Sequence, residues 1–251
     1  NGEDGTIQGM LELLDLAYIG NGVLASALGI DKIKMKEMFA LHQIPQGAYQ
    51  SLLLQQWEEN SQQMILNLEA EINYPCYVKP ARLGSSVGIS RCSNREELVK
   101  GIEAAFLYDE KIVIENEIVG REMQVAVLGN TQPECSLVGE YIQERTFMDY
   151  NAKYVDGKLV SVIPANIPEQ TAQEIRQIAL KAFKALECSG LLRVDYFVTE
   201  ENEVFVNEVN TLPGFTAFSM YPALIEKTFG LTYPMLIESL ITLAKEQKLA
   251  K

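Results

Sequence analysis

Histidine is nearly absent: His42 stands alone, and no G-x-S-x-G sequence accompanies it, which argues against a Ser-His-Asp hydrolase. His42 itself falls near an expected helix end, where it reads as a partner for the helix dipole. Cysteine is sparse and scattered. Cys76, Cys92, Cys135 and Cys188 form no C-x-x-C pair, so neither a zinc site nor a disulfide framework is expected. They read as reduced, partly buried thiols of a cytoplasmic protein. No apolar run approaches the ~18 residues of a membrane helix, and no basic segment followed by an apolar one marks a signal peptide. Positive charge is short as well. The 21 Lys and Arg against 34 Asp and Glu leave a formal net charge of −13. That argues against nucleic-acid binding, which needs phosphates neutralised by Lys and Arg, but it leaves room for a local basic pocket. An initiator Met is also missing, and Asn1-Gly2-Glu3-Asp4-Gly5 reads as a loop with further residues expected upstream.

What is present is enough for a core: 251 residues, 47% hydrophobic, in one large domain or two small ones. Apolar spacing predicts helices over 6–16, 21–28, 31–41 with Asp31 as N-cap, 57–72, 94–106 with Asn94 as N-cap, 168–186 and 233–245. In the fourth, Met64, Leu66 and Leu68 are the candidates for burial, and Trp57 reads as a packing residue. Alternation predicts strands over 74–80, 89–91, 111–118, 122–128, 135–142, 190–199 and 203–210, with a long loop at 144–158. Strands and helices mix without strict alternation, which favours an α+β fold. A change of composition near residue 73 suggests a boundary there.

The densest chemistry lies in Arg193-Val194-Asp195 and Glu208-Val209-Asn210. Residues two apart in a strand share a face. With Glu201-Asn202 as a two-residue turn, Glu200 pairs with Glu203, Asp195 with Glu208, and Arg193 with Asn210, all four on one face. Opposed carboxylates destabilise a bare sheet. A hard divalent cation such as Mg²⁺ would resolve the conflict; an Arg193-centred salt-bridge network is the plainer alternative. Gly84-Ser85-Ser86-Val87-Gly88 after Lys79-Pro80 is no Walker A loop, yet glycine turns can present backbone N–H groups to phosphate. Taken alone it reads equally as an ordinary hairpin, with Lys79 and Arg82 as neighbouring cations. The apolar strand ending at Glu115-Asn116-Glu117-Ile118 is either a buried strand or the wall of an adenine pocket with Glu122 for ribose.

Taken in order, several motifs resemble one family. They are Gly2-Glu3-Asp4-Gly5-Thr6-Ile7-Gln8-Gly9, Val78-Lys79-Pro80-Ala81-Arg82-Leu83-Gly84-Ser85-Ser86-Val87-Gly88 and Asp149-Tyr150-Asn151-Ala152-Lys153-Tyr154. Arg193-Val194-Asp195 and Asn207-Glu208-Val209-Asn210-Thr211-Leu212-Pro213-Gly214-Phe215-Thr216 complete the set. Together they resemble the D-alanine–D-alanine ligases, which are ATP-grasp carboxylate–amine ligases. The likeness runs from Asn1 to about Lys245.

The resemblance implies an α+β ATP-grasp fold, with two subdomains whose antiparallel sheets grip ATP between them. It divides the chain into 1–30, a remnant of the family's N-terminal substrate domain, 31–120, a central subdomain, and 121–251, a C-terminal subdomain with a lid loop at 144–158. It also implies a cytoplasmic, homodimeric enzyme of peptidoglycan synthesis. Such an enzyme joins two D-alanine molecules through an acyl phosphate, without nucleic-acid or membrane partners.

By the family's motifs, Asp195, Glu208 and Asn210 would hold two Mg²⁺ ions, with Mn²⁺ as a substitute. Lys32, Lys79, Ser86 and Lys153 would serve the phosphates, Glu115, Glu117 and Ile118 the adenine, and Glu122 the ribose. Arg193 and the Gly214 backbone would stabilise the oxyanion, Ser219 and Met220 would take the second substrate's carboxylate, and Ser85 and Tyr154 would help close the site. The family's N-terminal α/β domain is not in this sequence, and Met148 stands where many relatives have an aromatic residue. A lid histidine, common in ligases that make D-alanine–D-lactate, is missing, which favours the dipeptide product. The alternatives are an acceptor such as D-serine or D-lactate, or a nucleotide-binding fragment without catalysis.

Overall fold

Period-two alternation in the strands builds two antiparallel sheets from separate stretches of chain. The computed structural model describes residues 2–142, 160–216 and 218–249. The candidates Lys153 and Tyr154, together with Met148 and the loop expected at 144–158, lie outside the described residues. The smaller sheet has the order β1-β4-β2-β3, from β1 (Tyr49–Leu53), β2 (Cys76–Pro80), β3 (Ser90–Cys92) and β4 (Lys111–Asn116). The larger runs β10-β9-β5-β7-β8, with β6 (Glu134–Cys135) paired to β5. Its strands are β5 (Arg121–Gly129), β7 (Gly139–Ile142), β8 (Val160–Val162), β9 (Gly190–Val198) and β10 (Val204–Asn210). The single strand expected over 135–142 is thus two short ones, both paired to β5. The change of composition near residue 73 marks a passage from helix to sheet and not a boundary, because β1 before it pairs with β4 after it.

Eight helices cover the sheets among the described residues: α1 (Thr6–Leu13), α2 (Val23–Ile30), α3 (Lys32–Leu41), α4 (Leu54–Glu71), α5 (Arg95–Phe106), α6 (Glu169–Ala185), α7 (Met220–Phe229) and α8 (Tyr233–Leu249). One face of the smaller sheet buries Leu52, Val78, Ile112 and Ile114 against Ile65, Leu68, Leu98 and Ile102 of α4 and α5. The stripe on α4 is therefore Ile65–Leu68–Ile72, which keeps helical spacing. Leu66, expected inside, points away and is 53% exposed. The helix starts earlier than expected and breaks at Asn60, whose side chain caps the restart by accepting from the Gln63 N–H at 3.0 Å. Trp57 packs against the same core.

The larger sheet is covered on both faces. Met123, Val125, Val194 and Tyr196 meet α6 and α3, while Ala126 and Leu191 meet α7 and α8. This two-sided cover explains the nearly unbroken apolar runs of β5 and β9. The four cysteines are free and buried, with Cys76 directly opposite Cys92. No helix among the described residues is long and apolar enough to cross a membrane.

Helix α3 lies between the sheets. Ile33 packs on Ala81 and Val113 of the smaller sheet side, while Met35 and Phe39 enter the core of the larger sheet. Its N-terminus is fixed by Asp31, whose side chain accepts from the Ile33 and Lys34 N–H groups and pairs with Lys111 of β4. His42 is its C-cap.

Candidate functional site

The β9–β10 hairpin places Glu208 opposite Asp195 and Asn210 opposite Arg193, as the spacing predicts. The route differs. The turn is one residue longer than a two-residue loop allows: Val204 pairs with Val198, and the Thr199 N–H donates to Glu203 O at 3.0 Å. A β-bulge between Val206 and Glu208 then inserts Asn207 and restores the expected register at the chemical end. Bulges re-aim side chains beside functional sites, and here two successive residues face inward. Glu208 meets Asp195, while Asn207 Oδ1 lies 3.5 Å from Lys79 Nζ.

Asp195 is held from two sides. Arg193 donates from Nε and from a terminal nitrogen, each at 2.7 Å, and Asn210 Nδ2 donates at 3.2 Å. Burial works against the Arg193 charge, but Asp195, Glu208 and Tyr141 outweigh it and hold the guanidinium protonated. The Arg193-centred network therefore exists around Asp195, with Glu208 on the opposite strand. Among the described residues no three His, Cys, Asp or Glu side chains form a ready metal cage. The donor set of Asp195, Glu208 and the Asn210 amide is all oxygen, which suits a hard divalent cation completed by water and phosphate.

On the other side of the site the charge is reversed. Lys79 of β2 donates to one Glu115 oxygen at 2.6 Å, and Lys36 of α3 lies 3.1 Å from the other. Burial pushes the Glu115 carboxyl up, but the two ammoniums outweigh it and hold it at about 2. The same carboxylate keeps Lys79 protonated above its ordinary value against burial. For Lys36, burial prevails and lowers it.

Lys32 joins the two sides. Its ammonium donates to Leu83 O at 2.6 Å and lies 3.9 Å from Glu208. Leu83 opens the glycine-rich turn, in which Ser85 and Ser86 have φ of 54° and 60°. Gly88 at its end has φ +72°, and a Cβ there would stand 2.8 Å from Pro80, so the turn needs glycine at that point. Ser85 is exposed and Ser86 half-buried. Arg82, considered beside Lys79 as a second cation, is committed elsewhere: its guanidinium grips Asp109 at 2.5 Å and anchors the turn.

Glu117 accepts from Arg91 at 2.6 Å and 3.0 Å and from Tyr77 at 3.2 Å, an arrangement of its own. Ile118 packs on Gly47, in the segment that bonds to β10 through Val206 N–H and Pro45 O at 2.9 Å. Glu122 is the second residue of β5 and pairs with Phe197 of β9. After β10 the chain turns through Gly214 to Ser219, whose Oγ accepts from the Thr216 N–H at 2.9 Å. The Met220 side chain is in the core, so only its backbone, at the start of α7, faces outward chemistry.

Three residues at the site are given no role by the sequence reading, although its motifs include the last two: Lys36, Asn207 and Glu3. Lys36 was signalled only by its i, i+4 spacing from Lys32. Asn207 depends on the bulge. Glu3 lies beside Gly84, and burial together with the Glu208 charge raises its carboxyl above the ordinary value.

With this geometry in place, comparison with known proteins is informative. The family model described as D-ala D-ala ligase C-terminus matches residues 38–242. A D-alanine–D-alanine ligase of Bacillus cytotoxicus is 52% identical over 98% of this chain and 68% of its own length. One of Bacillus velezensis is 53% identical over 100% of this chain and 71% of its own. The solved D-alanine–D-alanine ligase of Coxiella burnetii superposes with a TM-score of 0.85 at 37% identity, covering 99% of this chain and 66% of that one. The VanG D-Ala:D-Ser ligase of Enterococcus faecalis gives 0.86 at 36% identity, over 97% and 70%. The chain thus spans about two thirds of the length of these relatives.

Proposed function

Since the chain belongs to the D-alanine–D-alanine ligase family, with the ATP-grasp fold, we propose that it joins two D-alanine molecules into D-alanyl-D-alanine with conversion of ATP to ADP and phosphate. The observation that carries the reading is an ammonium-rich side brought against a carboxylate-rich side, with Lys32 3.9 Å from Glu208 and Lys79 3.5 Å from Asn207. In this reading the carboxylate of the first D-alanine attacks the γ-phosphorus, ADP leaves, and an acyl phosphate forms. The amine of the second D-alanine then attacks the acyl carbon, phosphate leaves, and the amine loses a proton. Such transfers depend on positioning and charge neutralisation more than on covalent help from the protein.

Lys32 and Lys79, with the N–H groups of the turn at Ser85 and Ser86, would receive the phosphates. Glu115, Glu117 and Ile118 would border the adenine, and Glu122 the ribose. Arg193, kept protonated, would meet the oxyanion together with the Gly214 backbone. Ser219 and the Met220 N–H would take the second substrate's carboxylate. Asp195, Glu208 and Asn210 would hold Mg²⁺, two ions with ATP present, which offset phosphate charge. The division at 30/31 and 120/121 is supported by each sheet lying within one part, with α3 packing on both.

The test is ADP release from MgATP with D-alanine, D-serine or D-lactate as acceptor. It is run on this chain and on the chain extended at its N terminus by the matching segment of the Bacillus velezensis relative. Release that depends on D-alanine in either supports the reading. Independence of D-alanine in both discards it. The VanG likeness makes D-serine the acceptor to compare, and a preference for it would move the specificity while keeping the chemistry.

A further inference from the structure

Lys36 sits one helical turn beyond Lys32 on α3, and its side chain is only 3% exposed. A buried ammonium is costly unless it is paired. Here it lies 3.1 Å from Glu115 Oε1 and 5.3 Å from the centre of the Tyr49 ring. Gln46 Nε2 holds the same turn of helix by donating to the Lys36 carbonyl at 2.8 Å. Glu115 is thereby shared, because its second oxygen accepts from Lys79 at 2.6 Å.

Sharing has a consequence for Lys79. A buried carboxylate with one partner binds that partner permanently, since losing it strands an uncompensated charge. With Lys36 in place, Lys79 can turn to an incoming anion while Glu115 keeps a counter-ion. The charge count agrees: two ammoniums and one carboxylate leave one positive charge in excess, on the side where Lys79 already reaches Asn207 at 3.5 Å.

We propose that Lys36 is a positioning residue for the nucleotide phosphates: it holds the Glu115 carboxylate and so releases Lys79 to bind phosphate. The inference rests on the nucleotide site read above. Lys36 touches no phosphate and acts through Glu115.

The experiment is calorimetric titration of the whole chain with MgATP and, separately, with adenosine, which has no phosphate to engage Lys79. Lys36→Met is expected to weaken MgATP by at least about tenfold, as breaking a buried pair does, and to leave adenosine nearly unchanged. In Glu115→Gln no buried anion competes for Lys79, so adding Lys36→Met to it is expected to leave the ratio of the two affinities as in Glu115→Gln. Equal weakening of MgATP and adenosine in Lys36→Met, as a general loss of structure would give, overturns the inference. So does a double variant whose ratio falls below that of Glu115→Gln. If Lys36→Met unfolds, the double variant against Glu115→Gln decides by the same ratio. A wild type that binds neither ligand overturns the nucleotide site itself, whereas a wild type that binds both with no effect of Lys36→Met overturns only the role of Lys36.

Discussion

The two sides of the site meet the same electrostatic problem, the burial of charge, in opposite ways. On the smaller sheet, Lys36 and Lys79 share Glu115, so the trio is positive by one charge. On the larger sheet, Asp195 pairs with Arg193 and lies opposite Glu208, which Lys32 approaches to 3.9 Å. One side thus carries an excess of ammonium and the other a pair of facing carboxylates, so a polyanion carrying divalent cations has a counterpart on each. Lys32, between Leu83 O and Glu208, ties the two sides together before any ligand arrives.

Breaking the negative side is expected to have the largest effect. Glu208→Gln keeps the shape and hydrogen-bonding oxygen of the side chain but removes the charge opposite Asp195. One of the two facing carboxylates is then lost, which weakens the pull on a divalent cation. Mg²⁺-dependent turnover should fall on the order of 10²–10³-fold, the scale of losing one preorganised electrostatic contact, with an unchanged melting temperature. Near-normal turnover across a Mg²⁺ titration would remove Glu208 from the cation site. Omitting Mg²⁺ from the wild type should reproduce the loss.

The positive side should show itself in stability. Glu115 titrates at about 2 in the folded protein, against an ordinary value of 4.5. A depressed carboxyl stabilises the fold above its unfolded value and loses that contribution as pH falls through the folded one. Glu115 therefore contributes about 3 kcal/mol at neutral pH, since each tenfold change in proton affinity is worth ~1.4 kcal/mol. This contribution disappears between about pH 4.5 and 2. Urea midpoints of wild type and Glu115→Gln should differ most at pH 7 and converge over that window. A constant gap would show that Glu115 makes no titrating contribution.

The two sides also differ in how far the sequence discloses them. The carboxylate side is legible because strand periodicity alone puts Asp195 and Glu208 on one face, and the pairing at that end is as expected. Even there the turn is one residue longer than expected and the bulge at Asn207 compensates, so a correct register comes from an incorrect hairpin. The ammonium side is only half legible. Lys79 is marked by the turn after it, but Lys36 looks like one more surface lysine of an amphipathic helix. What buries it is the position of α3 between two sheets, a tertiary fact that local spacing cannot carry. Arg82 errs in the other direction. Adjacent to the turn in sequence, it is drawn off by Asp109, which lies 27 residues away. Helix caps, by contrast, are local, and Asp31 and Asn94 act as expected.

The smallest effect should come from the bulge, where the two sides meet. Asn207 occupies the extra position in β10 and reaches Lys79 at 3.5 Å, the long end of a hydrogen bond to a charged donor. Glu208 still faces Asp195 if the Asn207 side chain is removed, because the backbone bulge sets that pairing. Asn207→Ala should thus leave the Mg²⁺ dependence intact and weaken MgATP only about threefold, within the ~0.5–1.5 kcal/mol of one ordinary hydrogen bond. The relevant reading is the pair of titrations, one in Mg²⁺ and one in nucleotide. If the Mg²⁺ midpoint moves as much as the nucleotide affinity, Asn207 supports the carboxylate side as well, and the two sides are coupled through the bulge instead of through Lys32 alone. If only nucleotide affinity moves, the bulge serves the ammonium side, and each sheet tunes one charge of the same ligand.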